Sequence, residues 1–299
     1  MNYTLLTIFL VLINSNNIYS QNQSTIISEE ICSKTNKTNR IISIGGSITE
    51  ILYELEFEEN IVAVDITSNY PKQAKKLPSV GYIRNLSSEG ILSMHPSLII
   101  SENDIGPQII IEQLKKSKID LRIIEEEQSI QGIIKKIKCV GEIINKTEET
   151  LNYISNNIDP LVRKIDNKKK NTKLKDIKVM MILSMKGTSP VVAGSGTSGD
   201  SFIKMLGVTN IYASLEGWKS VTPESILSLN PDFIILPSRD LHKGSNIEEI
   251  RQNTMFKKTN AGKNNGFIID DGMSVLGYGP RTIKSVLNAL KIISLKISE

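Results

Sequence analysis

Short apolar runs and amphipathic stretches alternate along this chain from about residue 40. "RIISIGG" has strand length and ends in glycines that let the backbone turn sharply, and "SITEILYELEF" follows with a helical period. Ser47 and Glu50 have the S-x-x-E spacing of a capping box at that helix start. "NIVAVD" reads as the next strand, "SSEGILSMH" as a helix, "SLIISE" as a strand, "GPQIIIEQLKKSKI" as a helix and "DLRIIEE" as a strand. Strands and helices alternating at such short intervals predict a mainly parallel sheet covered on both faces. From 129 to 170 the pattern becomes one long helical region with few turn signals, which Pro160 kinks or divides. Alternation then restarts with "IKVMMILSM", "PVVAG", "GDSFIKMLG", "TPESILSLN" and "DFIILPS". A helical stretch near 247–256, "GFIID" and a closing helix from about Pro280 complete it. The expected architecture is α/β: two Rossmann-like lobes with mainly parallel sheets, over 39–143 and 171–299, joined by a helical connector at 144–170. The cleft between the lobes is the expected ligand site.

The lobes share a local repeat. "SSEGILSMHPSLII" at 87–100 and "TPESILSLNPDFII" at 222–235 have one form: a capping residue, a glutamate, Ile-Leu-Ser, a proline and a hydrophobic strand. Glu89 and Glu224 therefore occupy equivalent places in the first turns of equivalent helices. An acidic residue there suits the helix dipole, and a pair of them also suits a partner with two-fold symmetry.

Ahead of the lobes, "MNYTLLTIFLVLINSNNIYS" carries an apolar run at 5–13, too short to span a bilayer and of signal-peptide length, although no Lys or Arg precedes it. The expectation is export to the periplasm, with cleavage near Ser20. No cysteine stands at a lipoprotein-like position, and no second apolar stretch has the length of a membrane helix.

At 299 residues and 39% hydrophobic composition the chain can bury a sizeable core. Its 36 basic and 32 acidic residues are dispersed, which leaves no nucleic-acid footprint. The densest basic cluster, Lys168, Lys169, Lys170, Lys173 and Lys175, reads as a solvated linker. The helical period of "IIKKIKCVGEII" predicts that Cys139 is a buried thiol, with pairing to Cys32 in an oxidising compartment as the alternative. Only His95 and His242 are available for zinc or triad chemistry.

The two lobes, connector, repeat and export signal together resemble the substrate-binding proteins of ABC importers that have a rigid helical backbone and carry corrinoids, siderophores and haem. The strings "RIISIGGSITEILYEL", "VDITSNYP", "LPSVGYIRNLSSEGILSMHP", "PVVAGSGTSGD" and "LGYGPRT", in that order over roughly 39–295, narrow the resemblance to the periplasmic haem-binding proteins of the HmuT/ShuT type. The resemblance implies that Tyr70 is an axial ligand of ferric haem iron, a hard phenolate donor once its proton is lost. Arg84 is the nearby cation expected to favour the phenolate or to pair with a haem propionate. In the loop where family members often offer a histidine, this chain has Met185 and Lys186 instead. Met185 then becomes a packing residue or a soft sixth ligand, and Lys186 a partner for a propionate. Tyr278 and Arg281 match a loop near the cleft rim, implying haem stacking for the first and propionate pairing for the second. Glu89 and Glu224 match the acidic residues that dock the family onto its permease dimer in the inner membrane. A monomer that captures haem and performs no catalysis is the expectation.

Other readings are open to the same residues. A corrinoid or ferric siderophore would fit the same fold without Tyr70 touching metal. "GSGTSG" at 194–199, with Glu216 beyond it, satisfies the dinucleotide fingerprint, but it follows a short strand in the second lobe and not the opening unit. Ser195, Ser198 and Ser201 have no histidine within reach for a hydrolase: His95 precedes Pro96, and His242 lies in the polar loop "SRDLHKGSN".

Overall fold

The computed structural model describes residues 30–170, 172–186, 189–238 and 247–298; the expected signal sequence and His242 lie outside the described residues. In the first lobe, β1 (Ile41–Ile44), β2 (Ile61–Val64), β5 (Leu98–Glu102) and β6 (Asp120–Ile124) form a parallel sheet in the order β2-β1-β5-β6. β1 is buried at every residue, because helices cover both faces of the sheet, and this is why it reads as an unbroken apolar run. A short antiparallel pair, β3 (Gly81–Tyr82) and β4 (Asn85–Leu86), stands beside it. In the second lobe, β7 (Lys178–Lys186), β8 (Ser189–Ala193), β9 (Thr209–Asn210), β10 (Trp218–Ser220), β11 (Phe233–Ser238) and β12 (Phe267–Asp271) form a sheet ordered β10-β8-β7-β11-β12, with β9 beside β7. Here β8 and β10 run antiparallel, so this sheet is mixed.

The repeat seen in the sequence is also a repeat in space. Ser87 and Thr222 each cap a short helix by accepting from the amides of Gly90 and Ser225. Ile91 and Ile226 are each fully buried, and His95 and Asn230 each end the element at φ 48 before a central strand.

Between the lobes run the helix Ile130–Ile143, the helix Thr147–Tyr153, a π-helical turn at Ile154–Ile158 and the helix Asp159–Lys169. Pro160 sits in the first turn of that last helix. The wider turn falls where its missing N–H interrupts the regular ladder. One apolar cluster passes from Ile41 and Leu98 through Ile133, Ile137 and Val140 to Val179 and Phe202, and on to Ile283 and Leu290 of the closing helix Pro280–Ser298. The lobes therefore share this cluster, and each has a further cluster of its own.

Two expectations are corrected by the fold. The helix Gly46–Glu54 has Gly45 as its N-cap with no side-chain cap, so the Ser47–Glu50 capping box does not form. Both residues lie inside the helix, and each turns to a group distant in sequence. Cys139 is no buried thiol: it is joined to Cys32 across 107 residues. Its helix face is buried as the periodicity implied, but what covers it is the segment before β1, which also delivers Thr35 to the carbonyl of Ile143 and accepts Arg122 at Glu30 and Ile31.

A crosslink over so long a loop restricts the unfolded chain strongly. The Cys32→Ser/Cys139→Ser double variant should lose about 2–4 kcal/mol of unfolding free energy in urea titration. Reductant should reproduce the loss in the wild type and leave the double variant unchanged.

Candidate functional site

The parallel strands of both sheets point their carboxyl ends at a common space, the usual ligand position in open α/β sheets. A cavity of about 500 Å³ opens there, within the range of small-molecule sites. Ile66, Tyr82 and Ile83 of the first lobe face Leu183, Trp218, Met273 and Leu276 of the second across it. Arg84, Glu102, Asp104, Glu126 and Asp271 also line it, so apolar faces from both lobes meet a charged inner wall.

The first-lobe wall is organised around the start of the helix Gly46–Glu54, whose unpaired amides turn to side chains from other segments. Gly45 N donates to Asp65 Oδ1 (2.9 Å), Gly46 N to Thr67 Oγ1 (3.1 Å) and Ser47 N to Glu102 Oε1 (3.2 Å). Gly45, at φ 109, also makes room: a Cβ there would stand 2.5 Å from Glu102 Cδ, and one on Gly46 would stand 2.7 Å from Met273 Cε. Asp65 accepts in addition from Thr67 N, Thr67 Oγ1 and Ser68 Oγ, and Thr49 Oγ1 lies 2.7 Å from Ser68 Oγ. The loop that follows β2 is thereby fixed, and it presents Tyr70, 38% exposed, before a cis bond to Pro71.

The cation set against Tyr70 is Arg281, with its guanidinium carbon 3.9 Å from the ring centroid. Arg281 is itself held from both lobes. Its Nε donates to Glu50 Oε2 (2.8 Å), its backbone N to Glu50 Oε1 (2.6 Å) and its Nη1 to Asp271 Oδ1 (3.1 Å). Burial raises the carboxyl of Glu50 above the ordinary range, and Arg281 opposes that rise. Arg84, expected beside Tyr70, lines the cavity instead, paired with Asp104 (2.5 Å) and donating to Tyr82 Oη. Tyr70 and Arg281 are thus brought together next to the cavity, of which Asn69 but neither of these two forms the lining, while Arg84 forms a separate group on the wall.

The remaining expected residues fall in different places. Tyr278 is fully buried, and its hydroxyl donates to the carbonyl of Ser198. The ring is core, and the stacking expected of it is replaced by this structural role. Met185 packs against the cluster of Met180 and Ile182. A bulge between Ile182 and Ser184 reverses the alternation of β7, so Leu183 faces the cavity and Met185 turns from it. Lys186 closes β7, and its side chain lies outside the described residues. Glu89 and Glu224 are exposed in the first turns of their helices, outside the cavity wall. The glycines at 194–199 follow an antiparallel strand, and Gly194 N donates to the carbonyl of Gly217 while Ser195 bridges Glu216. That loop is a backbone junction and lacks the parallel unit of a dinucleotide site.

Met273, Glu102, Glu126 and Lys136 were not anticipated. Lys136, 2% exposed, donates to Ser47 Oγ and Glu126 Oε2, both at 2.9 Å. Its one signal in the sequence is a lysine on the apolar face of Ile133, Ile137 and Val140.

Similarity to known proteins accords with this geometry. The uncharacterized ABC transporter substrate-binding lipoprotein YvrC of Bacillus subtilis is 26% identical over 269 residues, covering 89% of this chain and 81% of that protein. A vitamin B12-binding protein of Pectobacterium atrosepticum is 26% identical over 201 residues, 66% of this chain and 71% of its own length. The apo structure of the periplasmic heme-binding protein RhuT from Roseiflexus superposes with a TM-score of 0.75 at 27% identity, covering 85% of this chain and 97% of that one. The model of the periplasmic binding protein family matches residues 41–272, and with its two lobes meeting at a cleft between strand ends, this chain belongs to that family.

Proposed function

We propose that this protein is an exported substrate-binding protein that captures haem in the cleft between its lobes and delivers it to an ABC transporter permease. The observation that carries the reading is Tyr70, presented by a fixed loop at the junction of the lobes with the Arg281 cation against its ring. A phenolate oxygen is a hard donor suited to ferric iron. The apolar walls accept the faces of a porphyrin, and Arg84, at the exposed side of the cleft, remains the candidate for a propionate. The likeness to RhuT, at 27% identity over 97% of that chain, supports haem, and the likeness to the vitamin B12-binding protein of Pectobacterium, at 26% identity, supports a corrinoid on the same fold. A corrinoid is the second reading, favoured by that relative. On either reading the protein acts by binding and performs no catalysis, and the first 20 residues serve as its export signal.

Glu89 and Glu224 fit the role of docking residues, one per lobe. Each has a leucine three positions on, Leu92 and Leu227, exposed at 37% and 38%. A surface shown twice in the same form suits a permease dimer with two-fold symmetry.

Adding hemin to the purified protein should give a Soret band with a high-spin charge-transfer feature. Tyr70→Phe should weaken binding roughly 10–100-fold in the same titration. An unchanged spectrum with hemin, together with binding of cyanocobalamin, would transfer the reading to corrinoids. Glu89→Ala/Glu224→Ala should leave hemin affinity unaltered and abolish stimulation of the permease in proteoliposomes. Added salt should weaken wild-type docking, since exposed charges steer it.

A further inference from the structure

The inner wall of the cavity carries more carboxyl groups than cations to match them. Lys136 pairs with Glu126, and Arg84 pairs with Asp104. Glu102, which lines the cavity and is 9% exposed, has no salt bridge among the described residues. Its Oε1 accepts both the amide and the hydroxyl of Ser47, and its Oε2 has no hydrogen-bond partner among the described residues. Lys136 donates to the same Ser47 hydroxyl and to Glu126, and its charge, one group away, is the main influence that opposes protonation of Glu102. Among the carboxyl groups that line the cavity, Glu102 is therefore the one without a salt bridge among the described residues, since Asp271 pairs with Arg281.

Resting on the haem reading of this cleft, we propose that Glu102 is a specificity-determining residue whose carboxyl takes up a proton when a flat, anionic macrocycle fills the cavity. Neutral Glu102 thus admits haem and ionised Glu102 resists it. The physical reason is desolvation. An unpaired carboxylate that loses its last water to an apolar face becomes costlier in its charged form, and a propionate nearby adds like-charge repulsion. The free protein is already poised for this. Burial, with Glu126 and Asp104 adding repulsion against Lys136 and the Ser47 hydrogen bond, pushes the Glu102 carboxyl up to about 7. Arg84 is the other cation whose field reaches Glu102. By linkage, a site that binds a proton together with its ligand loses affinity as pH rises through that value.

Glu102→Gln tests this, because the amide keeps an oxygen for Ser47 and stays uncharged. In hemin titrations at about pH 6 the variant and wild type should agree within about twofold, and at about pH 8 the variant should bind roughly tenfold tighter. A misfolded variant would not gain affinity. Any proton released by a coordinating phenol is common to both proteins and cancels in the ratio. A ratio that is the same at the two pH values overturns the proposal. If neither protein binds hemin at either pH, the haem reading falls and the proposal falls with it.

Discussion

A helix start buried at the meeting point of several segments must find acceptors for its free amides, and here that need organises the first lobe. Asp65, Thr67 and Glu102 arrive from two different strand ends to accept from Gly45, Gly46 and Ser47. Each acceptor has a second duty. Asp65 pins the loop that displays Tyr70, Thr67 lines the cavity, and Glu102 carries the charge state of its inner wall. A buried backbone donor left unpaired costs about as much as a lost hydrogen bond, so these contacts are mutually enforcing. The geometry of the cleft follows from satisfying one turn of helix.

The same economy governs the junction of the lobes. Arg281 leaves the closing helix with its charge shared between Glu50, deep in the first lobe, and Asp271, at the end of a second-lobe strand. The guanidinium plane is left free to lie over Tyr70. A buried ion pair is weak evidence for stability but good evidence for position, because removing either partner strands a charge. Arg281 thus locates the tyrosine relative to both lobes.

The alternation of strands and helices was legible because parallel strands covered on both faces must be apolar throughout, and "RIISI" and "SLII" could hardly read otherwise. Tyr70 was legible as a candidate through its string and neighbours. What escaped the sequence were pairings across long separations. Glu50 looked like a capping residue because local spacing says nothing of a partner 231 positions away. Cys139 showed its buried face without showing that Cys32 would cover it. For Met185 the packing alternative is the one that agrees with the structure, and the single-residue bulge that turns it from the cavity has no signature in the sequence. Lys136 was hidden because a buried lysine looks like an ordinary surface one until its carboxylates are in place.

The continuous core that runs from the first sheet through the connector into the closing helix bears on how cargo leaves. Lobes that hinge freely give up part of a ligand's binding energy to closing, and regain an exit simply by reopening. Lobes tied together by a shared packed cluster have less freedom to open in this way. On the proposed function, unloading would then call for work done from outside by the permease. The carrier itself is closer to a rigid cup than to a jaw.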